Sequence, residues 1–118
     1  MQLKSLTTLV TKALSELKGI DIVTLTVKDM SSVTDVMIVC TGTSSRHVKS
    51  LADNVVQKVK AKKILPLGVE GGQDSEWVLI DLGDVMVHVM QQRARDYYGL
   101  EQLWSRPKAK APIKRGKK

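Results

Sequence analysis

The sequence predicts a single α/β domain in which a mixed sheet of about five strands is flanked by helices. Three observations lead to this prediction. The chain has 118 residues, enough for one hydrophobic core and too few for two. Helical and strand-like patterns follow each other in the order α-β-β-α-β-β-β-α. The last two strand-like runs, within residues 76–90, are apolar on both faces, so both faces must be covered.

The helices are indicated by apolar residues spaced three and four apart. The first is predicted over residues 2–18. The second follows residues 42–45, whose hydroxyls can cap a helix, and runs to about Lys62. The last begins at about Gln91. Helices in these positions can cover a sheet built from the strands between them.

The strands are predicted over residues 21–28, 34–41 and 64–69 and in the hairpin 76–90. The first two are joined by a short link, so they should be antiparallel neighbours. Pro66 lacks a backbone N–H, so the third should be short or lie at a sheet edge. These features predict a mixed sheet rather than a purely parallel one.

The net charge of +7 is located in the C-terminal tail. Residues 106–118 contain seven Lys and Arg and no acidic residue, which leaves twelve basic and twelve acidic residues in 1–105. With two prolines and few apolar side chains, the tail is predicted to be disordered. It can contact RNA phosphates weakly or serve only as a solvated extension, and the sequence favours neither.

Cys40 is the single cysteine, and it ends an apolar run in which a buried thiol is expected. One cysteine excludes a disulfide framework and suits a reducing compartment. The sequence shows neither a signal peptide nor an apolar run long enough to span a bilayer. We therefore expect a cytoplasmic protein with no membrane contact.

Asp81 and Asp84 are the only close pair of carboxylates on strand-like sequence. Two metal-binding carboxylates on one strand face would be two residues apart, whereas these are three apart with Leu82-Gly83 between them. That pattern is typical of a hairpin turn. Residues 42–45 lack the Gly-Lys-Ser/Thr ending of a phosphate loop. The sequence therefore predicts no catalytic residue, no metal and no cofactor.

The remaining candidates are aromatic, sulfur-containing and histidine side chains. His47 is expected to be exposed at the start of the second helix. His88 interrupts an apolar strand, so a hydrogen-bonded structural role is favoured, with partner contact as the second interpretation. Trp77 and Met86 are residue types enriched at protein interfaces. With Leu82 at the turn, they are expected on the exposed side of a docking edge.

Four segments of the chain resemble the ribosomal silencing factor family, also called RsfS or Iojap. The resemblance extends over residues 3–105. Thr26 departs from it by replacing a usual acidic residue, and the basic tail continues past the usual end near Trp104. The matching segments are Thr34 to Val48, Gly68 to Gly71, Glu76 to Met90, and Arg95 to Trp104.

The resemblance implies a silencing-factor domain at 1–105, with a nucleotidyltransferase-like fold that lacks the catalytic carboxylates. It implies no enzymatic activity. Family members bind the large ribosomal subunit through its fourteenth protein, block joining of the small subunit and so repress translation when nutrients are scarce. Some act in large-subunit biogenesis, and homodimers are known. The implied partner-binding residues are Trp77, Leu82, Asp84, Met86, His88 and Tyr98.

Two other function classes stay open from the sequence. One is a nucleotidyltransferase-like enzyme that uses Asp81 and Asp84. The other is an RNA-binding module that acts through residues 106–118. A homodimer formed through the hairpin would compete with ribosome binding.

Overall fold

The computed structural model describes residues 2–29, 34–71 and 76–98. This part of the chain contains helices and strands in the predicted order. The predicted boundary at residue 105 and the tail 106–118 lie outside the described residues. The elements are α1 (Leu3–Glu16), β1 (Ile20–Thr26), β2 (Val36–Gly42), α2 (Ser45–Ala61), β3 (Gly68–Glu70), β4 (Trp77–Asp81), β5 (Val85–Gln91) and α3 (Gln92–Tyr98).

The strands form one five-stranded sheet in the order β1-β2-β5-β4-β3. The central strands β2 and β5 are parallel, and the other neighbouring pairs are antiparallel. The predicted mixed sheet and the antiparallel β1–β2 pair are therefore confirmed. The third strand is an edge strand, as predicted, but it begins at Gly68, beyond Pro66, because a proline cannot donate a ladder hydrogen bond.

The two long helices cover one face of the sheet. In α2 the hydroxyl of Ser44 accepts the backbone N–H of His47 at 3.0 Å, which satisfies one of the free donors of the first turn. The helices pack on a core that includes Ile38, Ile80 and Val87. None of the helices in the described residues is long and apolar enough to cross a membrane. Their buried residues are Leu6, Val10, Ala13 and Leu14 in α1 and Val48, Leu51, Ala52, Val55 and Val59 in α2.

The expectation that His47 is exposed is wrong, because its ring is half-buried and joins the two long helices. Its Nδ1 accepts the backbone N–H of Thr43 at 2.9 Å. Its Nε2 lies 2.8 Å from the carbonyl oxygen of Leu17. A ring that accepts at Nδ1 carries its proton at Nε2, so His47 donates to a carbonyl left free at the end of α1.

The hairpin β4–β5 is fully covered by helices on one face and only partly covered on the other. The side chains of Val78, Ile80 and Val87 face α1 and α2. On the opposite face, Trp77 and Met90 pack in a second apolar cluster that includes Ala94 of α3. Leu79 and Met86 on this second face stay half-buried, so the predicted covering of both faces is complete on the helix side only.

The expectation that Leu82 lies on the exposed side is wrong. Its side chain is 8% exposed and belongs to the main core. The physical reason is strand alternation, because Leu82 continues the inward-facing series of Val78 and Ile80 past the end of β4. A partner can reach this position only through the backbone of the turn or by rearranging the core.

Candidate docking site on the β4–β5 hairpin

The hairpin turn is held by its own aspartate and glycine. The backbone N–H of Gly83 donates to Oδ1 of Asp81 at 2.9 Å, and the backbone N–H of Leu82 donates to the carbonyl of Val85 at 2.9 Å. Gly83 has a φ of +89°, a conformation that favours glycine. The predicted turn role of Asp81 is therefore confirmed.

Asp84 is exposed at the same turn, and its backbone carbonyl accepts the N–H groups of Asp35 and Val36 at 3.1 and 3.0 Å. These bonds fix the tip of the hairpin to the start of β2. Within the described ranges, no three His, Cys, Asp or Glu side chains are grouped so that they could hold a metal ion. The Asp84 carboxylate is therefore presented to solvent on a rigid turn.

Trp77 and His88 form a polar contact across the two strands of the hairpin. The indole N–H of Trp77 donates to Nδ1 of His88 at 3.0 Å. The two rings are tilted by 48°, with centroids 5.6 Å apart. Because His88 is only 6% exposed, the predicted role of a hydrogen-bonded structural histidine is confirmed. Its bond fixes the direction in which the Trp77 ring points.

Burial determines the protonation state of His88, and the hydrogen bond determines its tautomer. Burial lowers the pKa of His88 from 6.5 to about 4, so the ring is neutral at pH 7. A neutral ring that accepts at Nδ1 carries its proton at Nε2. That Nε2 is buried and has no hydrogen-bond partner in the part of the chain that the structure describes. Protonation at Nδ1 would remove the acceptor that holds Trp77.

The end of the hairpin is fixed to the rest of the sheet by two arginines of α3. Arg95 is buried and donates to the hydroxyl of Thr41 in β2 at 2.7 Å. Arg93 lies on the surface and donates to both carboxylate oxygens of Glu76, at 3.1 and 2.7 Å. This ion pair lowers the pKa of Glu76, although an exposed pair adds little stability. Together these contacts hold α3 against the base of the hairpin.

Sequence reasoning did not identify Arg95 as a site residue. Arginine is rarely buried unless it is paired, and nothing in the short α3 sequence distinguishes it from Arg93. Leu79 was also missed as a surface residue, although strand alternation places it on the same face as Trp77. It is half-buried beside His88.

Cys40 is buried in β2, as predicted. Burial raises the pKa of its thiol to about 11, so it is present as an uncharged thiol at neutral pH. A thiol in this state is a poor nucleophile. Its environment is that of a packing residue.

Five of the six predicted partner-binding residues divide into two groups. Trp77 and Met86 are half-buried and Asp84 is exposed, so all three reach the surface. Leu82 and His88 are buried and act on that surface only through their neighbours. Tyr98 ends α3, but its side chain lies outside the described residues. We call Trp77, Leu79, Met86 and Asp84 the hairpin surface.

The chain is similar to proteins of known family. A family described as "Ribosomal silencing factor during starvation" matches residues 1–117. The Ribosomal silencing factor RsfS of Haemophilus influenzae is 47% identical over 94 residues, covering 80% of this chain and 92% of the relative. The RsfS of Chromobacterium violaceum is 44% identical over 104 residues, covering 88% and 85%.

A solved structure agrees with the fold. A crystal structure of a protein from Chromobacterium violaceum superimposes with a TM-score of 0.87 at 41% identity, covering 95% of both chains. The similarity in sequence and in fold thus extends over nearly the whole chain. The chain belongs to the ribosomal silencing factor (RsfS) family.

Proposed function

We propose that this chain binds the large ribosomal subunit through its fourteenth protein and sterically blocks joining of the small subunit. Translation would thereby be repressed when nutrients are scarce. Family membership supports a ribosomal partner. The fourteenth protein as the contact, and the steric mechanism, are what the sequence resemblance leads us to expect. The site of action would be the cytoplasm, where the two subunits meet.

The observation that carries the proposal is the fixed orientation of Trp77 on a partly exposed sheet face. Its ring is half-buried, and its N–H is held by His88 at 3.0 Å. A large ring that is already ordered loses little conformational entropy when a partner covers it. Tryptophan is also among the residues that most often dominate protein interfaces. Met86 lies on the same face and adds an adaptable apolar contact.

A binding role rather than catalysis accounts best for the polar groups of the hairpin. The carboxylate of Asp81 is engaged with the turn amide of Gly83. Asp84 is exposed on the turn, and it is not part of a group of three or more His, Cys, Asp or Glu side chains in the described residues. A partner with a basic or hydrogen-bond-donating group could pair with Asp84. We therefore propose a non-enzymatic regulator that uses no cofactor.

The proposal is tested by sedimenting purified large and small subunits together with the protein. The wild-type chain should bind the large subunit and reduce the amount of joined ribosome. Trp77→Ala should weaken binding by about 10-fold to 100-fold, the range for truncating a central aromatic anchor. A wild-type chain that leaves subunit joining unchanged would disprove the silencing role.

The matched control is Lys49→Ala in α2, on the other face of the sheet. Among the described residues, Lys49 makes only a surface ion pair with Asp53, at 3.0 Å, so its loss should change neither binding nor stability noticeably. Because Trp77→Ala also removes the bond to His88, its fold must be verified by circular dichroism. If folded Trp77→Ala is as potent as wild type, the hairpin surface is not the interface.

Three further expectations for this chain can be measured in the same assay. Deleting residues 106–118 should retain binding with a shallower dependence on salt if the tail contacts RNA only weakly. An engineered cross-linked dimer should lose binding if a homodimer uses the hairpin surface. A role in large-subunit biogenesis would appear as accumulated subunit precursors when the chain is depleted.

A further inference from the structure

The edge of the sheet next to the hairpin carries an unexplained row of exposed apolar side chains. Leu65 is 74% exposed, Leu67 is 75% exposed and Val69 is 50% exposed. Val69 lies in β3, and Leu65 and Leu67 lie in the segment that leads into it. We call these three residues the β3 strip. Large aliphatic side chains grouped in this way commonly mark a surface that another molecule covers.

The backbone at this edge is available for pairing. β3 is the last strand of the sheet and has β4 as its one neighbour in the part of the chain that the structure describes. Such an edge can receive an extended segment of another protein as an additional strand.

The β3 strip lies beside the hairpin turn, on the other face of the sheet from Trp77, because Val69 pairs with the inward-facing Ile80. The backbone N–H of Leu67 donates to the carbonyl of Asp81 at 2.8 Å. A Cβ built on Gly83 would lie 3.7 Å from Cδ1 of Leu67, so the Leu67 side chain lies beside the hairpin turn. A partner that contacts Asp84 at the turn would therefore also reach Leu67 without a change in either strand.

Positively charged side chains next to the strip indicate that such a partner lies beside RNA. Lys60, Lys62 and Lys63 are exposed at the end of α2, immediately before Leu65 in the chain. Among the described residues, none of these three lysines has a carboxylate within ion-pair distance. An apolar strip bordered by free positive charge complements a protein that is itself surrounded by RNA phosphates.

We propose that the β3 strip receives an extended segment of the large-subunit protein that binds the hairpin, so that the interface continues from the turn at Asp84 around the edge of the sheet. This inference rests on the proposed function and specifies how the partner is held. The segment pairs with the backbone of β3 and covers Leu65, Leu67 and Val69, while the lysines face the neighbouring RNA.

The test measures binding of the full chain to purified large subunits. Leu65→Ser combined with Leu67→Ser removes two exposed side chains, so folding should be unaffected, and binding should weaken by about 10-fold or more. Ile20→Ser is the matched control, because Ile20 is 39% exposed on β1 at the opposite edge of the sheet. Its binding should equal that of wild type.

A second readout is amide hydrogen exchange over residues 64–71, which should slow when the chain is bound to the subunit. If the wild type binds the subunit but the double variant binds equally well, or if exchange in β3 does not slow, the inference is overturned. The proposed function would still be supported by the binding of the wild type. If the double variant no longer forms a homodimer but binds the subunit as the wild type does, the inference is also overturned, because the β3 strip would then be covered by a second copy of the chain. Absence of wild-type binding would instead reject the proposed function itself.

Discussion

The Trp77–His88 pair makes the stability of this domain depend on pH in a calculable way. Burial lowers the pKa of His88 from 6.5 to about 4 in the folded chain. Between these two pH values the unfolded chain binds one more proton than the folded chain. The contribution of His88 to the free energy of unfolding is therefore complete above pH 6.5 and is lost as the pH falls towards 4.

The magnitude follows from the size of the pKa shift. One pKa unit corresponds to about 1.4 kcal/mol, so the full loss is about 3 kcal/mol, of which about 2 kcal/mol falls between pH 7 and pH 5. For a domain of this size, that is a large part of a total stability of roughly 5–15 kcal/mol. The cost arises because a charged imidazolium is poorly solvated at this buried position, and a proton on Nδ1 also removes the acceptor of the Trp77 indole N–H.

The assay is urea unfolding followed by circular dichroism at pH 7 and pH 5, for wild type and for His88→Asn. Asparagine keeps an acceptor near the position of Nδ1 but does not titrate. His47 and the carboxylates are common to both proteins, so their contributions cancel in the comparison. Wild type should lose about 2 kcal/mol more than the variant between the two pH values. Equal losses would refute the argument, as would an NMR titration that places the pKa of His88 near 6.5.

Two more predictions concern the caps and turns that define the fold. Ser44→Ala should lower the free energy of unfolding by about 1 kcal/mol because α2 loses its capping oxygen. The control is Ser50→Ala, which changes an exposed residue in the middle of the same helix and should leave the free energy of unfolding unchanged. Equal urea midpoints for the two variants would contradict this prediction. Gly83→Ala should lower the free energy of unfolding by about 1–2 kcal/mol because a side chain is strained at a φ of +89°. The control is Gly68→Ala, which adds a methyl group in open space and should leave the free energy of unfolding unchanged. If Gly83→Ala melts at the wild-type temperature, the turn does not require a glycine.

Most of the fold could be predicted from sequence because its signals are local. Apolar spacing fixes which face of α1 and α2 is buried, and the hydroxyl of Ser44 caps its helix within three residues. Asp81 and Gly83 form the turn through their own contacts. In each case the interacting groups are close together in the chain, so their spacing carries the information.

The candidate site could be predicted only in part. Trp77, Met86 and Asp84 reach the surface as expected, whereas Leu82 is buried by the same alternation that buries Ile80. The exposure of Leu65 and Leu67 was not anticipated, because the predicted edge position does not show whether the helices extend over that edge. Residue type indicates what a side chain could contact, and packing determines whether it is accessible.

The sequence by itself determined the order of the elements, their buried faces, the chemistry of the turn and the family resemblance. Only the tertiary structure decided that β5 lies between β2 and β4, which brings the Trp77 indole to His88 and the Arg95 guanidinium to Thr41. These contacts join residues 11 and 54 positions apart. They depend on strand register and helix docking, which are set by the packing of the whole sheet and cannot be obtained from local periodicity.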